Sequence, residues 1–519
     1  MTRSPFYVTT PIYYVNAEPH LGTAYTTVAA DAIARYRRMT GNDVLFLTGL
    51  DEHGQKIAQA AEEHGMSPQE WVDAIAPKFT EAWAMLGVSN DDFIRTTEPR
   101  HKRGVQAFWQ KLHDEGWLYQ GHYEGWYCVP DETYWTAEQL EDGVCPQCGR
   151  EVQFITEDNW FFKLSEFGDR LLAYYEANPD FVQPETRRNE VLAFVRGGLK
   201  DLSISRTTFS WGVPIPFAEG HVTYVWIDAL LNYITALGYG SEDPADVARF
   251  ERYWPADYHF VGKDIIRFHC VIWPAMLMAA GIEPPTTVFA HGFLLTKGEK
   301  MSKSKGNAQT PASLVERFGV DAYRYYFLRD VAFGQDGSIS MEGMVQRYNG
   351  DLANDWGNLC SRLFNMTEKY LDGVAPAAPG TAAETDEDAT MRAIAGKLPE
   401  TYEDHMSRLD YAAALESAWE LIKYANRYIE NAAPWTLAKE GDTERLAAVL
   451  YNALEAVRIA ALFTAPVMPA TSAEIWRRLG LGEIAEVTDI AAAAGWGGLP
   501  QGSRVTKGDA LFPRIYDEE

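Results

Sequence analysis

The sequence predicts an α/β protein in which a parallel-sheet domain is split by an inserted segment and followed by a bundle of helices. Strand-like runs alternate with helical patterns in two separated stretches, residues 1–116 and 223–275. Between them, residues 117–222 are dense in aromatic side chains and carry a cysteine-bearing hairpin. The last third of the chain has the apolar spacing of helices. Alternating strands and helices are typical of a parallel sheet, which binds nucleotides at the carboxyl ends of its strands.

The N-terminal elements follow from local patterns. Residues 6–10 are β-branched and aromatic, as in a buried strand, and Pro11 ends the run. From Thr23 small and apolar residues recur every four positions, which predicts a helix, and arginines near its end suit the helix dipole. Residues 43–48 predict a second strand, and 67–70 (SPQE) predict a capped helix start.

Later elements are predicted in the same way. Residues 258–261 and 286–290 have the composition of buried strands. Residues 372–388 are rich in Ala, Pro, Gly and acid, which is typical of a loop between helices. The segments 411–431 and 443–464 carry apolar stripes and are expected to be neighbours in a helical bundle.

Charge and hydropathy narrow the classes of protein that the chain can represent. The formal net charge is −27, which disfavours nucleic-acid binding in general, although a local basic face can still bind RNA. No run of about 18 apolar residues is present, so no membrane span is predicted. The N-terminus has no basic segment followed by an apolar core, so we expect a cytoplasmic protein without a secretory signal.

Cysteines suggest a metal site in the insertion. Five cysteines in 519 residues are too few for a disulfide framework. Cys128-x-x-Asp131 and Cys145-x-x-Cys148 have the spacing of a zinc knuckle in which one thiolate is replaced by a carboxylate, a ligand that zinc accepts. A structural Zn²⁺ is therefore expected here. The alternatives are a bound water as the fourth ligand, or three reduced thiols without metal.

Two motifs point to phosphate chemistry. Residues 19–23 (PHLGT) precede the first predicted helix, where free N–H groups and the helix dipole favour phosphate, and His20 can donate to it. Residues 300–304 (KMSKS) place two lysines and two hydroxyls where they could bind a triphosphate. Each motif alone is weak, since a lone histidine is usually structural and a lysine-rich run is usually a solvated loop.

Together, in this order, the two motifs resemble the HIGH and KMSKS elements of class I aminoacyl-tRNA synthetases. The resemblance implies Mg²⁺-bound ATP as a substrate, catalytic roles for His20, Lys300 and Lys303, and ATP contacts by Gly22, Thr23, Ser302 and Lys303. The chain departs from the family at Thr23, where a second histidine is usual.

Four further strings are similar to the methionyl-tRNA synthetases: 10–16 (TPIYYVN), 48–54 (TGLDEHG), 224–229 (YVWIDA) and 262–269 (GKDIIRFH). Aromatic and aliphatic walls suit methionine, whose polarizable sulfur packs well against rings. The resemblance implies that Asp51 holds the α-amino group and that Gly262 and Asp264 contact ATP. The rest of the implied methionine pocket consists of Ile12, Tyr14, Trp226, Tyr233, Ile265 and His269.

The same resemblance implies how the chain is divided and what it binds. Asn358, Arg362 and Trp435 match anticodon-reading positions, in agreement with the way aromatics and Arg recognise single-stranded RNA. The expected partners are ATP, L-methionine and tRNA(Met), and we expect a monomer because the chain ends soon after residues 512–514. The implied domains are a Rossmann-type catalytic domain (1–116 and 223–275), a connective insertion with the knuckle-like hairpin (117–222), a stem-contact domain bearing KMSKS (276–352) and an α-helical anticodon-binding domain (353–519).

Two other functions remain open at this point. One is a class I synthetase for another amino acid, although an insertion of about 105 residues is short for the editing domain of the branched-chain enzymes. The other is a non-catalytic RNA-binding relative. Both motifs retain their key residues, which argues against this alternative.

Overall fold

A computed structural model describes residues 3–146, 148–296, 299–300, 310–380 and 384–516, with the backbone alone at residues 296, 299 and 300. The strands of the described residues are β1 (Pro5–Thr9), β2 (Tyr13–Tyr14), β3 (Asp43–Asp51), β4 (Asp92–Arg95), β5 (Leu118–Cys128), β6 (Thr133–Trp135), β7 (Gln153–Phe162), β8 (Val182–Gln183), β9 (Leu202–Ser203), β10 (Ser205–Arg206), β11 (Val222–Thr223), β12 (Tyr258–Gly262), β13 (Thr287–His291), β14 (Leu294–Thr296), β15 (Glu299–Lys300) and β16 (Gly337–Ile339).

Helices make up most of the remaining secondary structure. Two π-helical segments, Phe268–Ile272 and Tyr348–Gly357, lie directly before α9 and α13. The α-helices of the described residues are α1 (Leu21–Met39), α2 (Gln55–Glu63), α3 (Pro68–Met85), α4 (Pro99–Asp114), α5 (Gly168–Ala177), α6 (Glu185–Arg196), α7 (Val225–Thr235), α8 (Pro244–Tyr253), α9 (Trp273–Ala279), α10 (Pro311–Phe318), α11 (Val320–Asp330), α12 (Met341–Arg347), α13 (Asn358–Leu371), α14 (Asp386–Ser407), α15 (Tyr411–Ala432), α16 (Pro434–Glu440), α17 (Thr443–Thr464), α18 (Pro469–Arg478) and α19 (Ile490–Ala493).

A seven-stranded parallel sheet is the frame of the molecule. Its order is β2-β3-β1-β12-β13-β8, with β4 also paired to β3. All of these pairings are parallel. The carboxyl ends of β1, β3, β12 and β13 therefore meet at one edge, where ligands of parallel α/β proteins bind. The predicted α/β class with a parallel sheet is confirmed.

The sheet extends beyond the two segments predicted to form it. β8 comes from the insertion, and β13 comes from the segment assigned to the third domain. Val288 and Phe289 of β13 pair with Val182 and Gln183 of β8, and β13 pairs along its whole length with β12. Local composition predicts a strand but not its partners, because pairing depends on contacts that are distant in sequence.

The insertion forms its own antiparallel sheet, of order β6-β5-β7-β9. β5 and β7 make a long ribbon whose register runs from Leu118 with Phe162 to Tyr127 with Gln153. β10 and β11 form a two-stranded sheet, and a three-stranded sheet of order β15-β14-β16 begins three residues after β13. Thus the chain that continues from β13 enters a different sheet as soon as it leaves the carboxyl edge.

The C-terminal part is helical, as predicted. α15 and α17 pack against one another and against α14, and their bounds agree closely with the two predicted bundle segments. α14 begins at Asp386, inside the predicted loop 372–388, because Thr385 and Asp388 form a capping box there. By length and composition α17 could cross a membrane, but 89% of its most apolar window is buried inside the protein, as in a core helix.

One buried ion pair joins three parts of the fold. Arg324 of α11 donates to the Asp31 carboxylate of α1 at 2.6 Å, and to the carbonyls of Leu86, Pro466 and Val467. Neither charged side chain is exposed. The helix that begins at the predicted ATP motif is therefore fixed directly to the last helical part of the chain.

Candidate active site

A cavity of about 340 Å³ lies at the carboxyl edge of the main sheet, against the N-terminus of α1. The twelve predicted ATP and methionine residues that fall within the described side chains all line it. They are Ile12, Tyr14, His20, Gly22, Thr23, Asp51, Trp226, Tyr233, Gly262, Asp264, Ile265 and His269. Of the remaining predicted residues, Lys300 is described only as backbone of β15, and Ser302 and Lys303 lie outside the described residues.

His20 caps the helix that points at the cavity. Its Nδ1 accepts hydrogen bonds from the backbone N–H of Gly22 at 3.0 Å and of Thr23 at 3.4 Å. The hydroxyl of Thr23 in turn accepts from the backbone N–H of His20 at 3.0 Å, which completes a capping box. Because Nδ1 is an acceptor, the proton of the neutral ring is on Nε2, which is then a donor.

Asp51 ends β3 as a buried carboxylate at the wall of the cavity. Burial raises its pKa well above the ordinary value, and the negative charges of Asp228, Glu132 and Glu52 raise it further. Within the described part of the chain, its Oδ1 is buried without a hydrogen-bond partner. A carboxylate in this condition is stabilised by a cation that enters the cavity, because an unpaired buried charge is costly.

Two imidazoles hold Asp228 of α7 beneath this carboxylate. His53 Nδ1 lies 2.6 Å from one carboxylate oxygen of Asp228, and His101 Nε2 lies 2.9 Å from the other. Burial alone would raise the pKa of Asp228, but the two histidines hold it below the usual range. This network fixes α7, which carries four residues of the cavity wall, to the end of β3.

A neutral polar pair forms the deep wall. The Tyr233 hydroxyl lies 2.7 Å from His269 Nε2, and His269 Nδ1 lies 3.1 Å from the Ile265 carbonyl. The carbonyl can only accept, so Nδ1 carries the proton and Nε2 accepts from the tyrosine. Burial lowers the pKa of His269 to about 4, so the ring is neutral at physiological pH. The wall is therefore uncharged.

Trp226 and Tyr14 form the side of the cavity that faces the insertion. The Trp226 ring stacks on Phe268 with centroids 4.0 Å apart, and its Nε1 donates to the Asp131 carbonyl at 3.4 Å. Tyr14 donates to the His53 carbonyl at 3.1 Å. Glu132 accepts from the backbone N–H of Lys56 at 3.0 Å, and so caps α2 from the insertion. The insertion thus contacts the pocket directly.

The remaining wall was not predicted. Residues 291–294, from the last residue of β13 to the first of β14, line the cavity beside Gly262, which pairs with His291. His291 Nε2 lies 2.7 Å from the Thr26 hydroxyl of α1. The signal for this wall was available, because residues 286–290 were predicted as a strand and ligands bind just after the carboxyl ends of parallel strands. What the sequence did not reveal is that β13 is adjacent to β12.

The predicted metal ligands are brought together. The ligand atoms of Cys128, Asp131, Cys145 and Cys148 all lie within 4.8 Å of one another. Asp131 Oδ2 is 3.4 Å from the Cys128 sulfur and 3.2 Å from the Cys145 sulfur, and the sulfurs of Cys128 and Cys148 are 3.6 Å apart. Three sulfurs and one carboxylate at these separations fit a tetrahedral Zn²⁺.

The predicted anticodon residues lie on the helical part, remote in sequence from the cavity. Asn358 and Arg362 are one turn apart on α13, and Arg362 is 3.3 Å from Glu430. Trp435 lies in the first turn of α16 and is 46% exposed, an unusual exposure for a tryptophan. The exposed Asn358 and the exposed indole of Trp435 are each accessible to a ligand at the surface.

Comparison with known families decides the class of protein. A profile described as "tRNA synthetases class I (M)" matches residues 6–157 and 150–364. A second, described as "Anticodon binding domain of methionyl tRNA ligase", matches residues 376–519. The chain belongs to the methionyl-tRNA synthetases. The predicted family and enzyme class are confirmed, and the alternative of a class I synthetase for another amino acid is not supported.

Individual relatives agree over the full length of the chain. The methionine–tRNA ligase of Caldanaerobacter subterraneus subsp. tengcongensis is 51% identical over 518 residues, which are 100% of this chain and 80% of that protein. The enzyme of Streptomyces coelicolor is 50% identical and covers 99% of this chain and 97% of its own length. The structure of Mycobacterium tuberculosis methionyl-tRNA synthetase in complex with methionyl-adenylate has a TM-score of 0.94 and 47% identity, with 98% of this chain and 100% of that chain covered.

Proposed function

We propose that the chain activates L-methionine with ATP to methionyl-adenylate and pyrophosphate, and then transfers methionine to the 3′-terminal adenosine of tRNA(Met). The observation that carries this proposal is the single cavity in which all twelve of the described ATP and methionine residues meet. The solved relative in complex with methionyl-adenylate, which has the same fold, supports it.

Methionine would bind with its ammonium group against Asp51. The buried oxygen of that carboxylate, which has no hydrogen-bond partner among the described residues, supplies an acceptor and the charge that a cation needs. The thioether would lie between Trp226, Tyr14 and the neutral Tyr233–His269 pair, where a polarizable group packs against rings without meeting a charge. Such a pocket rejects side chains that are charged, because their desolvation would not be compensated.

ATP would bind at the N-terminus of α1 and along the loop after β12. His20 Nε2 and the first N–H groups of α1 would contact phosphate, while Gly262 and Asp264 would contact the ribose and adenine side. Lys300, Ser302 and Lys303 would add positive charge and hydrogen bonds from the KMSKS segment, and Mg²⁺ would accompany the nucleotide. Carboxylate attack at the α-phosphorus needs no protein nucleophile, so the protein acts by positioning and electrostatics.

In the second step, the transfer of methionine, the helical C-terminal part of the chain would select the tRNA. Asn358, Arg362 and Trp435 are proposed to read the anticodon, with an anticodon base stacked on the exposed indole.

Three other predictions accompany this function. They are the four domain boundaries given by the sequence, the monomeric state and the cytoplasmic location. We propose to extend the catalytic domain to β8 and β13, since both pair within its sheet.

Zinc is proposed as a structural ligand of the insertion. Cys128, Asp131, Cys145 and Cys148 would hold it, and it would fix the loop whose carbonyls meet Trp226 and Tyr224. It would supply no chemistry to either reaction step, because a site with four protein ligands has no open position for substrate.

The deciding experiment is amino-acid-dependent ATP–pyrophosphate exchange without tRNA, run with each of the twenty amino acids. We expect exchange with methionine alone. Exchange with another amino acid would keep the fold and refute the pocket assignment. No exchange with any amino acid, in a chain that still binds tRNA(Met), would favour the non-catalytic relative.

A further inference from the structure

Three segments meet beside the nucleotide end of the cavity. Lys263 lies in the loop after β12, Phe293 lies between β13 and β14, and Asp336 lies just before β16. Lys263 Nζ is 2.7 Å from one carboxylate oxygen of Asp336, and the other oxygen accepts the backbone N–H of Phe293 at 2.8 Å. The same ammonium is 4.5 Å from the centroid of the Phe293 ring. We call these three residues the clasp.

The clasp joins two neighbouring loops that line the cavity. β12 and β13 are adjacent strands, and Gly262 pairs with His291 at their carboxyl ends. Lys263 stands between Gly262 and Asp264 in the loop after β12, and Phe293 lies in the loop after β13. The loop after β13 also lies very close to the Asp336 loop: a methyl group at Gly292 would lie 2.2 Å from the carbonyl carbon of Gln335, so only glycine permits this contact. The three loops are therefore packed as one unit.

We infer that Lys263 and Asp336 are positioning residues, which hold the loop after β13 in place against the loop after β12 at the ATP end of the cavity; this rests on the proposed function. The Lys263 ammonium contacts a carboxylate and an aromatic face, and its side chain is only 21% exposed. It acts through Phe293 and not as a phosphate ligand. The ion pair persists at neutral pH, because the Lys263 hydrogen bond holds the pKa of Asp336 below its ordinary value despite partial burial.

The test compares Lys263→Met, Asp336→Asn and the exchanged pair Lys263→Asp with Asp336→Lys in the full chain. Both single variants should raise the KM for ATP by about five- to tenfold, the loss expected for one partly exposed ion pair with its cation–π contact. The kcat of exchange and the Kd for methionine should stay within about twofold. The exchanged pair should recover most of the ATP affinity. Lys111→Met is the matched control, since Lys111 makes a 2.8 Å ion pair with Glu115 on the surface of α4.

A direct role for Lys263 in phosphate binding predicts a different pattern. Asp336→Asn would then leave the KM for ATP unchanged and the exchanged pair would stay impaired, and this result would overturn the inference. Binding of a fluorescent ATP analogue, titrated on the same chains, tests the clasp even if the unaltered chain shows no exchange. An absence of ATP–pyrophosphate exchange in the unaltered chain would refute only the proposed function. Equal analogue affinity in all variants would refute only the clasp.

Discussion

Replacement of Asp51 by Asn should weaken methionine binding and, at neutral pH, stabilise the ligand-free protein. In the ligand-free chain the buried carboxylate has an oxygen without a partner among the described residues, and its pKa is raised well above the ordinary value by burial and by nearby carboxylates. Asn keeps the shape and removes the charge. In the proposed complex, the same change leaves the methionine ammonium buried without a counter-charge, which costs about 3–5 kcal/mol for a broken buried pair. The KM for methionine should therefore rise by roughly a hundredfold or more.

The same substitution should raise the melting temperature of the ligand-free protein at neutral pH. When folding raises the pKa of a carboxyl group, ionisation of that group destabilises the folded state. The stabilising contribution of the neutral form is complete below the pKa of the unfolded chain, about 4, and is lost as the pH rises through the pKa of the folded state. The stability difference between Asp51→Asn and the unaltered chain should thus be present at pH 7 and shrink toward pH 4. Thermal unfolding across this range measures it.

Asp43 offers a matched control at the opposite end of the same strand. It is partly exposed and bonded to Arg252, and that hydrogen bond lowers its pKa. Asp43→Asn should leave the KM for methionine unchanged and slightly reduce stability at neutral pH. A methionine KM within about threefold of the unaltered chain in Asp51→Asn, or a fall in its melting temperature at pH 7, would refute the reasoning.

Three further predictions follow from other parts of the structure. Trp435→Ala should raise the KM for tRNA(Met) by about 5- to 150-fold, the value of one base stacked on an aromatic ring, and leave methionine-dependent exchange unchanged; a normal tRNA KM would contradict its role. Cys145→Ser should reduce zinc from about one atom per chain to well below half, measured by plasma mass spectrometry; equal zinc contents would contradict the knuckle. Arg324→Met should lower the free energy of unfolding by about 3–5 kcal/mol in guanidinium titration, whereas Arg477→Met, which removes an exposed pair with Glu474, should leave it nearly unchanged.

Local patterns predicted most elements because they depend on neighbouring residues. The helix beginning near Ser67 is capped as expected, with Glu70 bonded back to the Ser67 backbone. The helices predicted at 411–431 and 443–464 are α15 and α17. By contrast, β13 joins the main sheet by pairing with β12, about 30 residues earlier, and β8 joins it by pairing with β13, about 100 residues later. No short pattern contains that information.

The same distinction holds for the site. The residues that the family strings assigned to methionine and ATP line one cavity, because those strings end strands or begin helices at the carboxyl edge. The interactions that hold them could not be predicted. Glu132 caps α2 from the insertion, and His53 and His101 share Asp228. Each joins residues that only the tertiary fold brings together.

The departure from the usual motif at Thr23 has a structural account in the capping box. Its hydroxyl bonds to both backbone groups of His20, accepting from N–H and donating to the carbonyl at 2.8 Å. These bonds fix the His20 backbone, and the N–H groups of Gly22 and Thr23 fix its ring through Nδ1. The capping box therefore orders the donor that the proposed activation step uses, even though the threonine itself offers less to a phosphate than a histidine would. Because ordering a side chain before the substrate binds lowers the entropy lost in the transition state, part of the function of a second histidine can be replaced by positioning the first.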